Sequence, residues 1–113
     1  MAISQYTPLQ VAYTIIRIGK RLEDINLDEL NETWLNHYAS DRRYRIHLCS
    51  AIGGYAIFRI GKLRVLIEQR VDGCVFARWI NDDIFANKAC WKVTPTGDAN
   101  KPYVSEWQDV VKI

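Results

Sequence analysis

Two helix-start signals, followed by a long alternating stretch cut by two tight-turn pairs, predict an α+β fold. Its expected form is two N-terminal helices packed on one face of a three- to four-stranded antiparallel β-meander, with a short C-terminal helix or strand. The start signals are Thr7-Pro8-Leu9-Gln10 and Asn26-Leu27-Asp28-Glu29, and the turn pairs are Gly61-Lys62 and Asp72-Gly73. A chain of 113 residues lies within the usual size of one domain and can bury a core without metals or disulfides, so residues 1–113 are read as a single domain.

In the first signal Thr7 stands at the cap, proline at the first helical position and Gln10 three residues past the cap, which together make a capping box. Leu9, Ala12, Ile15, Ile16 and Leu22 then recur at helical spacing. Val11, Tyr13, Ile16 and Ile18 are β-branched or aromatic and also suit a strand, but helix is favoured. In the second signal Asn26 is the cap, Glu29 closes the box, and Ile25 with Leu30 can form a hydrophobic staple. Leu27, Leu30, Trp34, Leu35 and Tyr38 make one apolar stripe, expected to cover the sheet.

Residues 40–54 fit either a helix capped by Asp41 or a strand. Alternation of Tyr44, Ile46 and Leu48 with Arg43, Arg45 and His47 favours a strand over residues 43–49, followed by a loop through Gly53-Gly54. Residues 55–80 then read as three strands. Pairing outward from Gly61-Lys62 sets Ile60 opposite Leu63, Phe58 opposite Val65 and Ala56 opposite Ile67. Treating Asp72-Gly73 as a two-residue turn sets Val71 opposite Cys74, Gln69 opposite Phe76, Ile67 opposite Arg78 and Val65 opposite Ile80. Phe58, Val65, Ile67, Phe76 and Ile80 then form the core under Leu30 and Trp34. On this reading truncation of Phe76 costs about 3 to 5 kcal/mol, and Gly73 sits at positive φ.

The opposite face carries Tyr55, Ile57, Arg59, Arg64, Leu66, Glu68, Arg70, Val75, Ala77 and Trp79. Beyond Ile80, Asn81-Asp82-Asp83 ends the meander and can cap a short helix. Trp91-Lys92-Val93 suits a short strand, and residues 94–102 make the clearest loop. Ser105-Glu106-Trp107-Gln108 resembles a cap for a final helical turn, slightly preferred over a strand beginning at Tyr103 and Val104.

An apolar fraction of 49% and a charged fraction of 25% fit an ordinary globular protein and exclude a disordered or collagen-like chain. The sequence has no apolar run long enough to span a membrane and no secretory leader, so no membrane partner is expected. Cys49, Cys74 and Cys90 form an odd set without a CxxC pair, which suits a reducing, cytoplasmic setting. The net charge of +2 is unevenly spread. Residues 1–41 hold three basic and six acidic side chains, residues 42–78 hold eight and two, and residues 79–113 hold four and five. An excess of this kind can mark a surface that meets something anionic, although a solvated sheet face also tolerates arginines.

Neither a phosphate-binding glycine motif nor a zinc-ligand spacing is present, so neither a cofactor nor a metal is expected. His47 and Cys49 lie two apart, as a nucleophile pair could, but no orienting group accompanies them. No catalytic residue is assigned, and the chain is not expected to be an enzyme.

What remains is a basic, aromatic set expected to bind a partner: Arg43, Arg45, Tyr55, Arg59, Arg64, Arg70 and Trp79. Arg59 and Arg64 fall directly opposite one another, where like charges repel unless solvent or a partner anion screens them. Arginine with aromatic rings serves protein interfaces and phosphate or base contacts alike. The favoured reading is a small non-catalytic macromolecule-binding protein, an adaptor or inhibitor, with a protein or nucleoprotein complex as partner. Compact phage-encoded inhibitors of host defence complexes have such proportions. The alternative is a winged-helix-like nucleic-acid-binding regulator, which needs a third helix near residues 41–52, with Arg42, Arg43 and Arg45 at its start.

Overall fold

The computed structural model of the chain describes residues 4, 6–38, 44–80 and 89–109. It is α+β, with two helices on one face of a six-stranded antiparallel sheet whose order follows the chain. The helices are α1 (Thr7–Ile18) and α2 (Leu27–His37), joined through a 3-10 turn (Leu22–Asp24). The strands are β1 (Ile46–Ile52), β2 (Tyr55–Ile60), β3 (Leu63–Gln69), β4 (Val75–Trp79), β5 (Ala89–Pro95) and β6 (Tyr103–Asp109). The meander therefore has more strands than the three or four expected. The surplus comes from β5 and β6, which extend the sheet beyond residue 80.

α2 begins as its sequence predicts: the Asn26 side chain accepts from the Glu29 N–H at 2.7 Å, satisfying a donor that the first turn leaves without an intrahelical partner. α1 does not. Tyr6 occupies its cap position, and Thr7 lies inside the helix, fully buried, its hydroxyl accepting from the Ser4 N–H at 3.0 Å. With that oxygen turned back to Ser4, the expected Thr7 capping box does not form. α1 packs on β3, β4 and β5, and α2 packs on β1 and α1. Leu30, Trp34 and Leu35 of the predicted stripe are buried, with Leu27 and Tyr38 partly so.

The β2–β3 register is the one read from Gly61-Lys62, including Arg59 opposite Arg64. The β3–β4 register differs from expectation by one residue. Gln69 faces Val75, Ile67 faces Ala77 and Val65 faces Trp79. The cause lies in the turn, whose loop is the three residues Val71, Asp72 and Gly73 rather than Asp72-Gly73 alone. Arg70 N–H donates to the Cys74 carbonyl at 2.9 Å, and Gly73 N–H donates to the Arg70 carbonyl at 3.0 Å. Gly73 has φ +92, which L side chains rarely adopt. A β-turn closed on the Arg70 carbonyl and followed by a left-handed glycine makes the usual three-residue hairpin loop. Asp72 accepts from the Cys74 N–H at 3.0 Å. That bond holds the Asp72 carboxyl below the usual carboxylate range.

One residue of slip moves every β4 side chain to the other face. Val75, Ala77 and Trp79, expected on the exposed face, are buried in the core. Phe76 and Arg78, expected on the core face, point away from the helices and are only partly buried. Core burial of Trp79 leaves its indole N–H satisfied, because that group donates to the Ser4 carbonyl at 3.1 Å.

At the other end of the sheet, β1 replaces both the shorter strand and the helix weighed for this region. Its pairing with β2 shifts by one residue between Leu48 and Ser50, a bulge at Cys49. The β1–β2 turn is Gly53-Gly54. A Cβ on Gly54 would lie 2.6 Å from the Gln69 carbonyl oxygen, so only glycine fits where its own carbonyl accepts from the Gln69 N–H at 2.8 Å. Asn31 ties β1 to the helices. Its amide accepts from the Ile46 N–H at 2.7 Å and donates to the Ile46 carbonyl at 2.8 Å. It is 2% exposed.

Beyond the meander, β6 forms a strand where a final helical turn was slightly preferred. Thr96, Gly97 and Asp98 lie in the expected loop. The possible helix after Asn81 lies outside the described residues.

Trp79→Ala is expected to lower the unfolding free energy by about 3 to 5 kcal/mol, and Phe76→Ala by clearly less. Urea melts of the two variants check the register, since the opposite order would restore the two-residue turn. Asn31→Ala leaves the buried Ile46 N–H and carbonyl without partners, at about 1 to 3 kcal/mol per group. Hydrogen exchange should quicken first at the start of β1.

Candidate binding face of the sheet

Because both helices lie on one side, the other side of the sheet is covered by no described element. Its composition follows from the registers. Ile57 faces Leu66, which faces Arg78. Tyr55 faces Glu68, which faces Phe76, which in turn faces Lys92. A central band of Ile57, Leu66 and Phe76 is thus bordered by Arg59, Arg64, Arg70, Arg78 and Lys92, with Glu68 interleaved.

Phe76 is the centre of this arrangement. The Arg70 guanidinium carbon lies 4.4 Å from the Phe76 ring centroid and the Lys92 ammonium 6.0 Å from it, both within cation–π reach. Arg70 Nε also pairs with Glu68 Oε2 at 3.3 Å. Both partners keep substantial exposure, so the pair orients Arg70 more than it stabilises the fold. At the turn end, Arg59 donates to the Gly61 carbonyl at 2.8 Å. That bond fixes one guanidinium of the opposed Arg59 and Arg64 pair.

Of the residues predicted for the binding set, Tyr55, Arg59, Arg64 and Arg70 come together on or beside this face. Arg45 is exposed but precedes β1, and Arg43 lies outside the described residues. Trp79 is a correction, since it belongs to the core. Phe76, Arg78 and Lys92 are the members that the sequence reading missed. A usable signal was present: the two-residue turn required Arg78 to sit on the core face, where an unpaired guanidinium is costly.

Cys90 borders a small hollow formed with Leu66, Phe76 and Arg78. Burial pushes its thiol pKa up, which keeps it protonated and a poor nucleophile. Cys49 is exposed at the bulge, and Cys74 is buried. Among the described residues, no group of three or more His, Cys, Asp or Glu side chains could hold a metal.

A separate polar cluster joins α1, α2 and β6. The Tyr13 ring stacks on Tyr103 at 3.9 Å between centroids. Its hydroxyl donates to Ser105 Oγ at 2.8 Å. The hydroxyls of Tyr38 and Tyr103 lie 3.3 Å apart, and Arg17 donates to Tyr103 at 3.3 Å. Burial, assisted by the Tyr103 hydrogen bond, pushes the Tyr38 pKa up to about 12. The folded chain therefore favours the neutral phenol. Tyr38 contributes stability that is complete below an unfolded pKa of about 10 and is lost as the pH rises through about 12. Chemical melts on either side of that window should show the loss, and Tyr38→Phe should flatten it.

Comparison with protein-family models, curated proteins and solved structures returns no match to this chain.

Proposed function

We propose that this chain is a non-catalytic binding protein, an adaptor or inhibitor, that engages a partner protein through the uncovered face of its sheet. The observation that supports this reading is the apolar band of Ile57, Leu66 and Phe76 left outside the helical layer and bordered by arginines. An apolar centre within a polar border is the composition of protein interfaces, where aromatic and arginine side chains carry much of the binding energy. The excess of cations around the band fits a partner that presents acidic side chains about an apolar patch. The opposed Arg59 and Arg64 set two cations side by side, where a partner carboxylate can meet both.

Nucleic acid is the second reading, since arginines beside Tyr55 and Phe76 also suit phosphate contacts and base stacking. Two features favour protein. Ile57 and Leu66 offer no stacking surface, and Glu68 lies within the face, where a phosphate backbone would meet like charge. The winged-helix form of the second reading has lost its recognition helix, because Ile46–Ile52 is a strand.

The test compares the intact chain with an Arg59→Glu, Arg64→Glu double variant as bait in nuclease-treated lysate, read by quantitative mass spectrometry. As the control, Lys20→Glu with Lys101→Glu gives the same change of charge away from the sheet face. A partner retained by the control and lost by the sheet variant is the expected outcome. Retention by the sheet variant and loss by the control would place binding elsewhere. Affinity for generic DNA falling steeply with added salt would favour the nucleic-acid reading, because phosphate binding releases counterions.

A further inference from the structure

A second surface lies at the opposite edge of the inner face, where β1 meets the start of α2. A groove of about 250 Å³ runs between Leu22, Ile25 and Leu27 on the helical side and Leu48, Ala51 and Phe58 on the sheet. The register explains why it stays open. Leu48 faces Phe58 and Ala51 faces Ala56, so both side chains share the core face. Yet Leu48 is 52% exposed, because the helical layer stops short of it. Ile52, at the tip of the same strand, is 80% exposed.

The backbone of β1 adds a second, independent feature. Among the described residues, β1 is an edge strand, paired on one side only with β2. Successive residues of an antiparallel strand turn their N–H and carbonyl alternately to one neighbour and the other. Ile46 turns both groups away from β2, and the Asn31 amide accepts one and donates to the other. Asn31 thus takes the place, beside Ile46, that a neighbouring strand would fill. The same alternation turns the groups of Leu48 outward and, past the Cys49 bulge, those of Ala51. Among the described residues, no partner meets these two.

Edge strands are commonly guarded against pairing by charges or proline. β6, at the other edge, carries Glu106 and Asp109 and follows Pro102, whereas β1 contains no Lys, Arg, Asp, Glu or Pro. Among the described residues, its guards are the bulge and the Asn31 amide at Ile46.

We infer that β1 accepts a short extended segment of a partner protein as an added strand, with an apolar side chain of that segment seated in the groove beside α2. Backbone hydrogen bonds to an edge supply affinity in such complexes, and a pocket for alternate side chains supplies selectivity. Charge specifies the segment further. Glu23 is the one charged residue among those lining the groove; Arg21 Nε approaches it only at 3.7 Å with both side chains exposed, and Asp24 and Asp28 are exposed near it in the chain. The segment therefore carries a lysine or arginine next to its apolar anchor. A second copy of this chain is a poorer occupant, because two-fold pairing of β1 with itself would set bulge against bulge and bring two acidic borders together.

The experiment pans a random peptide library displayed on phage against the intact immobilised chain. Enriched peptides should share an apolar residue flanked by a basic one. A synthetic copy of the leading peptide should slow amide exchange at Leu48 and Ala51. Ala51→Pro removes the outward donor without touching the β1–β2 ladder, and Leu48→Lys places a cation in the groove. Each should weaken the peptide by at least about tenfold, with the circular-dichroism melt showing that the variant is folded. Should a variant fail to fold, the exchange pattern of the intact chain decides. The Arg59→Glu, Arg64→Glu variant should bind the peptide normally, so failure here and failure of the sheet-face reading are distinguishable. No enrichment, peptides that bind both edge variants fully, or protection that avoids Leu48 and Ala51 would overturn the inference. So would self-association of the chain that Ala51→Pro abolishes, which would make a second copy the occupant.

Discussion

The three-residue loop Val71-Asp72-Gly73 is the constraint on which the rest of the sheet depends. A hairpin loop fixes how many residues separate the last pair of one strand from the first pair of the next, and side chains alternate with period two. The extra residue therefore decides, for all of β4, which side chains enter the core. With the loop as it stands, Trp79 fills the space under α1, and its N–H reaches the Ser4 carbonyl. Phe76 and Arg78 are turned outward by the same step. Gly73 at φ +92 and the Asp72 bond to Cys74 hold the loop in this form. The composition of the uncovered face is thus a consequence of turn geometry.

Packing both helices on one side divides the chain electrostatically. The acidic first turn of α2, with Asp28 and Glu29, complements the positive end of the helix and lies on the helical side. The arginines of β2, β3 and β4 lie on the other. That separation gives the two surfaces opposite borders: cations surround the outer face, and Glu23, Asp24 and Asp28 lie by the groove at β1.

The outermost strand depends on contacts from far along the chain. Among the described residues, β6 has no neighbour on its free edge, and a two-stranded addition to a sheet gains little without a surface to cover. Tyr13 supplies that surface by stacking on Tyr103 and bonding Ser105, while Arg17 and Tyr38 close around the Tyr103 hydroxyl. Residues near 105 carry a local helix-start pattern, but as a strand they gain the β5 ladder and this aromatic cover together.

Local chemistry was enough to read α2, the Gly61-Lys62 hairpin and the opposed Arg59 and Arg64, because a cap, a staple and a two-residue turn act within a few residues of their own sequence. The alternation of β2 and β3 was legible for the same reason. Asp72-Gly73 was ambiguous, because that pair serves two-residue and three-residue loops equally well. Only the burial of Trp79 against α1, and the cost of placing Arg78 inside, select one of them. Thr7 was read as a cap from its neighbours, whereas the folded chain buries it and turns its hydroxyl to Ser4. Nothing in the letters around Asn31 signals its role, and its bonds to Ile46 exist only because β1 returns beneath α2. The candidate face was likewise half legible: the sequence placed Arg59, Arg64 and Arg70 on one side of the sheet and left Arg78 as a misfit on the other, but the register that brings Phe76, Arg78 and Lys92 together with them was decided by tertiary packing, since only the folded core offers Trp79 a buried place with a partner for its N–H.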